Sequence, residues 1–426
     1  MLTRLEVSNY KSIKTLGIDL RPFIVVVGPN GTGKTNVVRS LELLGRVLSR
    51  GTSEPLAEEG WARVVHREKK PARAGIRLGG TARLSPDRRA GTGATVSVAI
   101  TLRGNVNDHH VAVVREELHV EFPPERPAVA RPPESSEGAR LSFVRDGTSV
   151  SFPKPADMDL HRERLRHIGI RGLPDGTRQL ELLSEPAEDG GLRLLTFFAL
   201  GPVVTRLADT FRTQRLRLDA SALRRDDRSE VSAEDVLGPS GEGLPLAVHR
   251  LRGHGEQPGA AFRPILEKLQ QVYPRILDVR PEGFGQGRFT LNFKERGIGE
   301  PIPLDGVSDG VLHALALLLF LNPRPRFDGL LAVEEPENAL HPWSVRTIIQ
   351  RAQEPRSGCL LLTTHSETVV NAVRDPATLY VAETGDTGTT VIPATSKESA
   401  LGSILATTGQ QLGDLWMDGS LGGVPA

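Results

Sequence analysis

Gly28-Pro29-Asn30-Gly31-Thr32-Gly33-Lys34-Thr35 decides how this chain folds. The eight residues fit G-x-x-x-x-G-K-[ST], a pattern that means something only between a strand and a helix. Both neighbours are present. Ile24-Val25-Val26-Val27 is a continuous β-branched run, the signature of a strand buried on both faces. From Asn36 to Leu48 the apolar residues fall at 37, 38, 41, 44, 47 and 48, a helical period. In such a strand–loop–helix unit the loop N–H groups wrap a β-phosphate, and the helix N-terminus adds its dipole. Lys34 is expected to reach the β- and γ-phosphate oxygens of ATP, and the Thr35 hydroxyl to ligate Mg²⁺. Asn30, Gly31, Gly33 and Asn36 complete the expected phosphate-binding set. The plain alternative is a chance Gly-rich turn, and the full match in context argues against it.

Three further stretches lie downstream. Leu330 to Val333 is an apolar strand running into Glu334-Glu335-Pro336-Glu337. Glu334 is expected to hold Mg²⁺ through its water shell and Glu335 to polarise the attacking water. An acidic turn at a strand end is common, so this reading leans on the P-loop. Ser308-Asp309-Gly310 precedes an apolar helix, Val311 to Leu321. A hydroxyl and free N–H groups at a helix start can bind an anion, although Ser and Asp are also ordinary N-caps. Leu360-Leu361-Leu362-Thr363-Thr364-His365-Ser366 is another buried strand, ending in His. A lone His is usually structural, but this one falls at the strand edge where ligands sit in parallel α/β sheets.

Taken in order, these residues resemble the ABC-type ATPase heads of the RecF and SMC proteins. They are more similar still to the bacterial predicted AAA ATPases related to overcoming-lysogenization-defect (OLD) proteins. Leu5 to Ile13 (LEVSNYKSI), Glu334 to Pro342 (EEPENALHP) and the tail from Leu412 to Gly423 carry the likeness; residues 50 to 260 carry little of it. The resemblance implies an α/β P-loop NTPase fold, a two-lobed ABC-type head with a mixed or parallel core sheet and an antiparallel β lobe. It implies that Ser308 and Gly310 contact the γ-phosphate of ATP held by a second subunit, giving a homodimer through ATP. Asn338-Ala339-Leu340 would be the D-loop and His365 the switch histidine, catalytic beside Glu335. The signature reads SDG where transporters have SGGQ, and the first Walker B acid is Glu334 where Asp is usual. The segment near Val65-His66 is the expected place of the first lobe's phosphate sensor. By analogy the purpose is DNA repair or anti-phage defence, with a nuclease or toxin effector encoded separately. A slow-turnover ATP switch and, more remotely, a transporter motor are the rival readings.

Composition sets the outer bounds. The chain has 426 residues and a net charge of +1, so it is no histone-like polycation, although local basic patches remain open. A single cysteine, Cys359, excludes a disulfide framework and any Cys-based zinc site, and fits a reducing cytoplasm. The polar N-terminus suggests no signal peptide, and the apolar run Ala314 to Leu321 is too short for a membrane helix. The expected organisation is lobe I over 1–155, a helical or irregular insertion over 156–270, and lobe II over 271–426. Within lobe I, residues 110–114 and 118–122 read as separate strands, and 123–139 as a Pro/Glu/Ser loop. Three basic clusters stand out: Arg67 to Arg77, Arg162 to Arg171, and Arg212 to Arg228. Each is a candidate for DNA phosphates but reads first as a solvated Arg-rich face.

Overall fold

The computed structural model describes residues 1–51, 54–66, 75–84, 93–104, 111–123, 140–168, 170, 183, 192–195, 202–225, 235–253, 257–283, 288–322, 327–356, 358–397 and 410–423. Its centre is a six-stranded sheet. In chain order its strands are β3 (Phe23–Val27), β9 (Thr213–Leu216), β13 (Leu330–Glu334), β14 (Cys359–Thr364), β15 (Leu379–Gly385) and β16 (Gly388–Pro393). Across the sheet the order is β16-β15-β3-β14-β13-β9. All pairings are parallel except the β15–β16 hairpin at one edge.

The period of two along each strand divides the hydrophobic core in two. Ile24, Val26, Leu330, Ala332 and Leu361 face one cluster, with the P-loop helix Lys34–Arg50. Phe23, Val25, Val27, Leu331, Val333 and Leu362 face the other, with helices Arg263–Val272, Asp309–Leu321 and Pro342–Ala352. Because successive side chains leave a strand on opposite faces, a wholly apolar strand needs cover on both. The helix Asp309–Leu321 is buried at every position from Val311 to Leu321, which explains its lack of a polar stripe.

Beyond the P-loop helix lies an antiparallel sheet of seven strands. They are β1 (Leu2–Tyr10), β2 (Ile13–Asp19), β4 (Ile76–Leu84), β5 (Ala94–Gly104), β6 (Val111–Glu121), β7 (Arg140–Asp146) and β8 (Ser149–Ser151), in the order β2-β1-β4-β5-β6-β7-β8. A three-stranded sheet, β10 (Ile276–Gly283), β11 (Phe289–Glu295) and β12 (Ile302–Pro303), packs into the second cluster. The fold is thus α/β, with a mixed core sheet and an antiparallel β lobe.

Two expectations change. Residues 111–121 form one strand where the sequence suggested two. The charged trio Arg115-Glu116-Glu117 between the two expected strands is paired within the sheet. Arg77 and Arg115 hold Glu117, and their hydrogen bonds lower its pKa to about 2 against the opposing effect of burial. The second change is β9, which lies inside what read as a basic surface run. From residue 124 the Pro/Glu/Ser stretch lies outside the described residues, as do Arg67, Lys69, Lys70, Arg73, Arg171 and Arg228.

Glu116 is fully buried and anchors the lobe. It accepts from Arg145 Nε at 2.7 Å and from the backbone N–H groups of Arg193, Leu194 and Leu195. Arg145 spends its other nitrogens on Gly147 O and Val113 O. Glu116→Ala leaves a buried guanidinium without its counter-charge and three N–H groups without an acceptor. The expected loss of unfolding free energy is about 3–5 kcal/mol. Urea denaturation reads it, and an unchanged midpoint would remove Glu116 from this role.

Candidate active site

Four neighbouring parallel strands, β3, β14, β13 and β9, end at one edge of the core sheet, and the phosphate loop, the Glu334-Glu335 pair and His365 lie at the ends of the first three. The register places Val27 beside Thr364 and Val26 beside Thr363, with Glu334 beside Thr363 on the other side. Gly28 N–H donates to Thr364 O, so the P-loop leaves the sheet alongside the start of the His365 loop.

The loop is shaped by backbone only glycine adopts easily. Gly31 and Gly33 have φ of 83° and 89°. A Cβ on Gly33 would also run into Thr389 Oγ1 and stand 2.5 Å from Ser12 Oγ. The N–H groups of Gly31, Gly33, Lys34 and Thr35 have no protein acceptor among the described residues, as a phosphate cradle requires. Lys34 Nζ lies over the same loop, donating to Gly28 O and Pro29 O at 2.7 Å each. Burial lowers its pKa, against the raising pull of Glu335, Glu337 and Glu334. Asn36 Nδ2 donates to Ser12 Oγ at 2.8 Å, tying the helix start to the β1–β2 hairpin, and Asn30 is exposed at the loop tip.

Thr35 and Glu334, 299 residues apart, meet: the Thr35 hydroxyl donates to Glu334 Oε2 at 2.5 Å. A hydroxyl beside a buried carboxylate is a hard oxygen donor set, and it fits Mg²⁺ completed by phosphate oxygens and water. Arg215 Nη1 donates to the other carboxylate oxygen at 3.1 Å.

Glu335 follows the strand in a left-handed conformation, φ 51°. Its N–H donates to Thr363 O, and its Oε2 accepts from Asn338 Nδ2 at 3.1 Å and Arg217 Nη2 at 2.9 Å. Burial raises its pKa, but the hydrogen bonds from Asn338 and Arg217 and the Arg217 charge outweigh it, so the carboxyl is held below its usual range. Glu337 bridges two strand ends: its Oε1 accepts from Thr364 Oγ1 at 2.7 Å and from the His365 N–H at 3.2 Å. The His365 ring is part-exposed, with Nδ1 3.5 Å from the same oxygen.

Ser308 stands at the N-cap position of its helix but makes no side-chain cap bond, so its exposed hydroxyl is not used as a cap. Gly310 has a packing reason: a Cβ there would meet Tyr273 Oη at 2.8 Å and Ala339 O at 3.0 Å. The helix Asp309–Leu321 therefore rests against the turn that carries Asn338.

Sequence reasoning missed the arginines. Arg215, Arg217 and Arg224 are spent on acids around this edge, while Arg212, at the opposite end of β9, pairs with Asp235, so the run is not the solvated face expected of it. Arg212 pairs with Asp235, Arg215 with Glu334, Arg217 with Glu335, and Arg224 with Asp309. Charge spacing gives no sign of this; a short apolar alternation at Leu216 and Leu218 was the available hint. In the other clusters Arg77 pairs with Glu117 and Arg162 with Asp159. The second strand of the β15–β16 hairpin was missed too; its first was expected at 378–382. Its Thr389 bonds Thr32 O and Ser12 Oγ. The turn of the hairpin, Gly385 to Gly388, lines a cavity of about 850 Å³ with Lys11, Ser12, Lys14, Arg63 and His66.

A Gly-rich loop between strand and helix, met by an acidic strand end across a parallel sheet, defines a P-loop NTPase. The chain belongs to the family described as "AAA domain, putative AbiEii toxin, Type IV TA system", whose model matches residues 121–371. An AAA ATPase domain model matches residues 1–67. A curated relative, the OLD nuclease of Thermus scotoductus (strain ATCC 700910 / SA-01), is 41% identical over 44 residues. The match spans 10% of this chain and only 8% of that protein. Among solved structures, the SMC head bound to the C-winged helix domain of ScpA has TM-score 0.47 at 11% identity, with 92% of this chain and 97% of that one covered. The SMC head domain from Thermotoga maritima has TM-score 0.40 at 12% identity, with 92% and 98% covered. Both family models are of AAA domains, and between them they cover the phosphate loop, the acidic strand end and the Thr-Thr-His loop. No described helix is long and apolar enough to cross a membrane.

Proposed function

We propose that the protein binds ATP with Mg²⁺, hydrolyses it, and dimerises head to tail around it. The observation that carries this reading is the 2.5 Å contact between Thr35 and Glu334, which joins the phosphate loop to the acidic strand end. Asn30, Gly31, Gly33, Lys34, Thr35 and Asn36 hold the phosphates. Thr35 and Glu334 hold Mg²⁺, whose chemistry is to neutralise charge on the transferred phosphoryl group. Glu335 takes the proton of the attacking water, and His365, steadied by Glu337, faces the γ-phosphate. The cavity beside Ser12 and His66 takes the nucleoside end. Ser308 and Gly310 serve the partner subunit's ATP, which fits a serine hydroxyl that makes no cap bond to its own helix. We assign residues 1–155, 156–270 and 271–426 to lobe I, insertion and lobe II. With relatives named as a putative toxin and a nuclease, we place the protein in nucleic-acid surveillance in the cytoplasm, as DNA repair or phage defence, with a separate nuclease or toxin as effector. A slow ATP-dependent switch is the second reading, favoured by the guanidinium of Arg217 on Glu335.

Ser308→Arg should spare ATP binding yet abolish dimerisation and hydrolysis, because the side chain obstructs the partner's nucleotide. A mixture with Lys34→Ala tests the shared site. In the heterodimer one composite site carries both lesions and the other neither, so ATPase activity should return although neither parent has any. A mixture that stays inactive while the subunits demonstrably pair would show that each chain completes its own site.

A further inference from the structure

Asn9 and Lys11, at the β1–β2 turn, hold left-handed backbone, φ 60° and 49°, a conformation that costs a side-chain-bearing residue energy. The segment from Val64 to His66 fixes them there. Lys11 N–H donates to Val64 O at 2.7 Å, His66 N–H donates to Asn9 O at 2.9 Å, and Tyr10 bridges to Val65. The His66 ring closes the set, with Nδ1 2.7 Å from Lys11 O. Strain of this kind persists only where the surroundings over-determine it, and it collects at binding sites.

The ring contact decides the tautomer. A carbonyl oxygen only accepts, so Nδ1 carries the hydrogen. In the neutral ring Nε2 is then a bare acceptor, and it has no partner among the described residues. His66 lines the cavity of about 850 Å³, with Cε1 turned to the hairpin: a Cβ built on Gly388 would stand 3.1 Å from it. The neighbouring walls run into the phosphate loop. Ser12 Oγ accepts from Asn36 Nδ2, and Thr389, next to Gly388, donates to Thr32 O.

A bare acceptor is poorly matched to a phosphate oxygen, which accepts as well, so His66 does not suit the phosphate-sensing role expected of its segment. It suits a donor. Lys14 and Arg63 stand exposed at the same cavity and are donors themselves; Asp386 accepts, but from an exposed hairpin turn. The acceptor held in place by a hydrogen bond of its own is His66. Resting on the reading of this cavity as the nucleoside end of the ATP site, we infer that His66 selects the base: Nε2 accepts a hydrogen bond from the 6-amino group of adenine and disfavours purines that carry oxygen there. Hypoxanthine and guanine present a carbonyl at that position, so two acceptors would face each other and the bond would be lost.

Displacement of a ribose-labelled fluorescent ATP from the full chain, at slightly alkaline pH, tests this with three competitors. ITP differs from ATP at the 6-position, purine riboside triphosphate has no group there, and 2′-deoxy-ATP keeps the base. ITP is expected to bind about three- to thirty-fold more weakly than ATP, the scale of one mismatched hydrogen bond, with purine riboside triphosphate between them and 2′-deoxy-ATP close to ATP. A wild type that binds ITP as well as ATP would overturn the inference. So would a loss for 2′-deoxy-ATP with none for ITP, which would put the ring against the ribose. His66→Asn separates recognition from support: its amide N–H can replace Nδ1 on Lys11 O, with nothing where Nε2 stood. The variant should bind ATP and ITP equally, and a wild-type ratio in it would make His66 a structural residue. His66→Gln, whose amide can turn to donate or accept, should flatten the preference too, so the result does not hang on one variant folding. Photolabelling with 8-azido-ATP tests the underlying reading. Label within residues 61–66 or 385–388 keeps the cavity as the nucleoside site even if the ratios sink His66; label elsewhere removes the cavity reading and the selection with it.

Discussion

Lys34→Ala is expected to lose ATP binding by about 10²–10⁴-fold while the chain stays folded. Two charged hydrogen bonds to phosphate oxygens, at about 1.5–3 kcal/mol each, give that range. The fold should tolerate the change because, among the described residues, Lys34 Nζ hydrogen-bonds only to Gly28 O and Pro29 O, carbonyls of its own loop. Its charge is moreover already disfavoured by burial, so the native state gives up little with it. Equilibrium titration with a fluorescent ATP analogue reads the affinity, and a thermal melt reads the fold. Wild-type affinity in a folded mutant would take Lys34 out of the site. A collapsed melting temperature would show instead that the ammonium supports the loop among Glu334, Glu335 and Glu337.

Glu335→Gln is expected to bind ATP normally and hydrolyse it about 10²–10⁴-fold more slowly, the usual cost of losing a general base. Glutamine keeps the shape and can still accept from Arg217 and Asn338 through its carbonyl, so the turn around φ 51° should survive. Because hydrolysis is what dissolves an ATP-bridged pair, this variant should accumulate as a dimer when ATP is present. Size-exclusion chromatography with and without ATP shows it. Unchanged turnover would pass the role to Glu337, whose Oε2 is buried without a hydrogen-bond partner among the described residues.

The parts of the site that were legible in the sequence share a physical cause. A phosphate loop needs glycine where φ is positive, a lysine and a hydroxyl at fixed offsets, and a buried strand before them, all within about a dozen residues. The acidic strand end and the Thr-Thr-His loop were readable for a similar reason, since β13 and β14 are covered on both faces and so are apolar throughout. Strand β6 misled because Glu116 and Glu117 sit at its middle. A carboxylate within a strand looks like a break until its arginine is found, and Arg145 and Arg77 come from other strands.

By itself, then, the sequence determined the strand–loop–helix unit, the three apolar strands beside it and the candidates Lys34, Thr35, Glu334, Glu335, Ser308 and His365. These rest on local rules, namely periodicity, glycine conformation and fixed spacing, which act over a few residues. Only the tertiary structure decided that Thr35 lies 2.5 Å from Glu334, that β9 enters the core sheet beside β13, and that Arg215 and Arg217 are spent on the two acids. The reason is that charge has no period. An arginine reads the same in sequence whether it faces water or a carboxylate 118 residues away, and only strand order brings that carboxylate within reach.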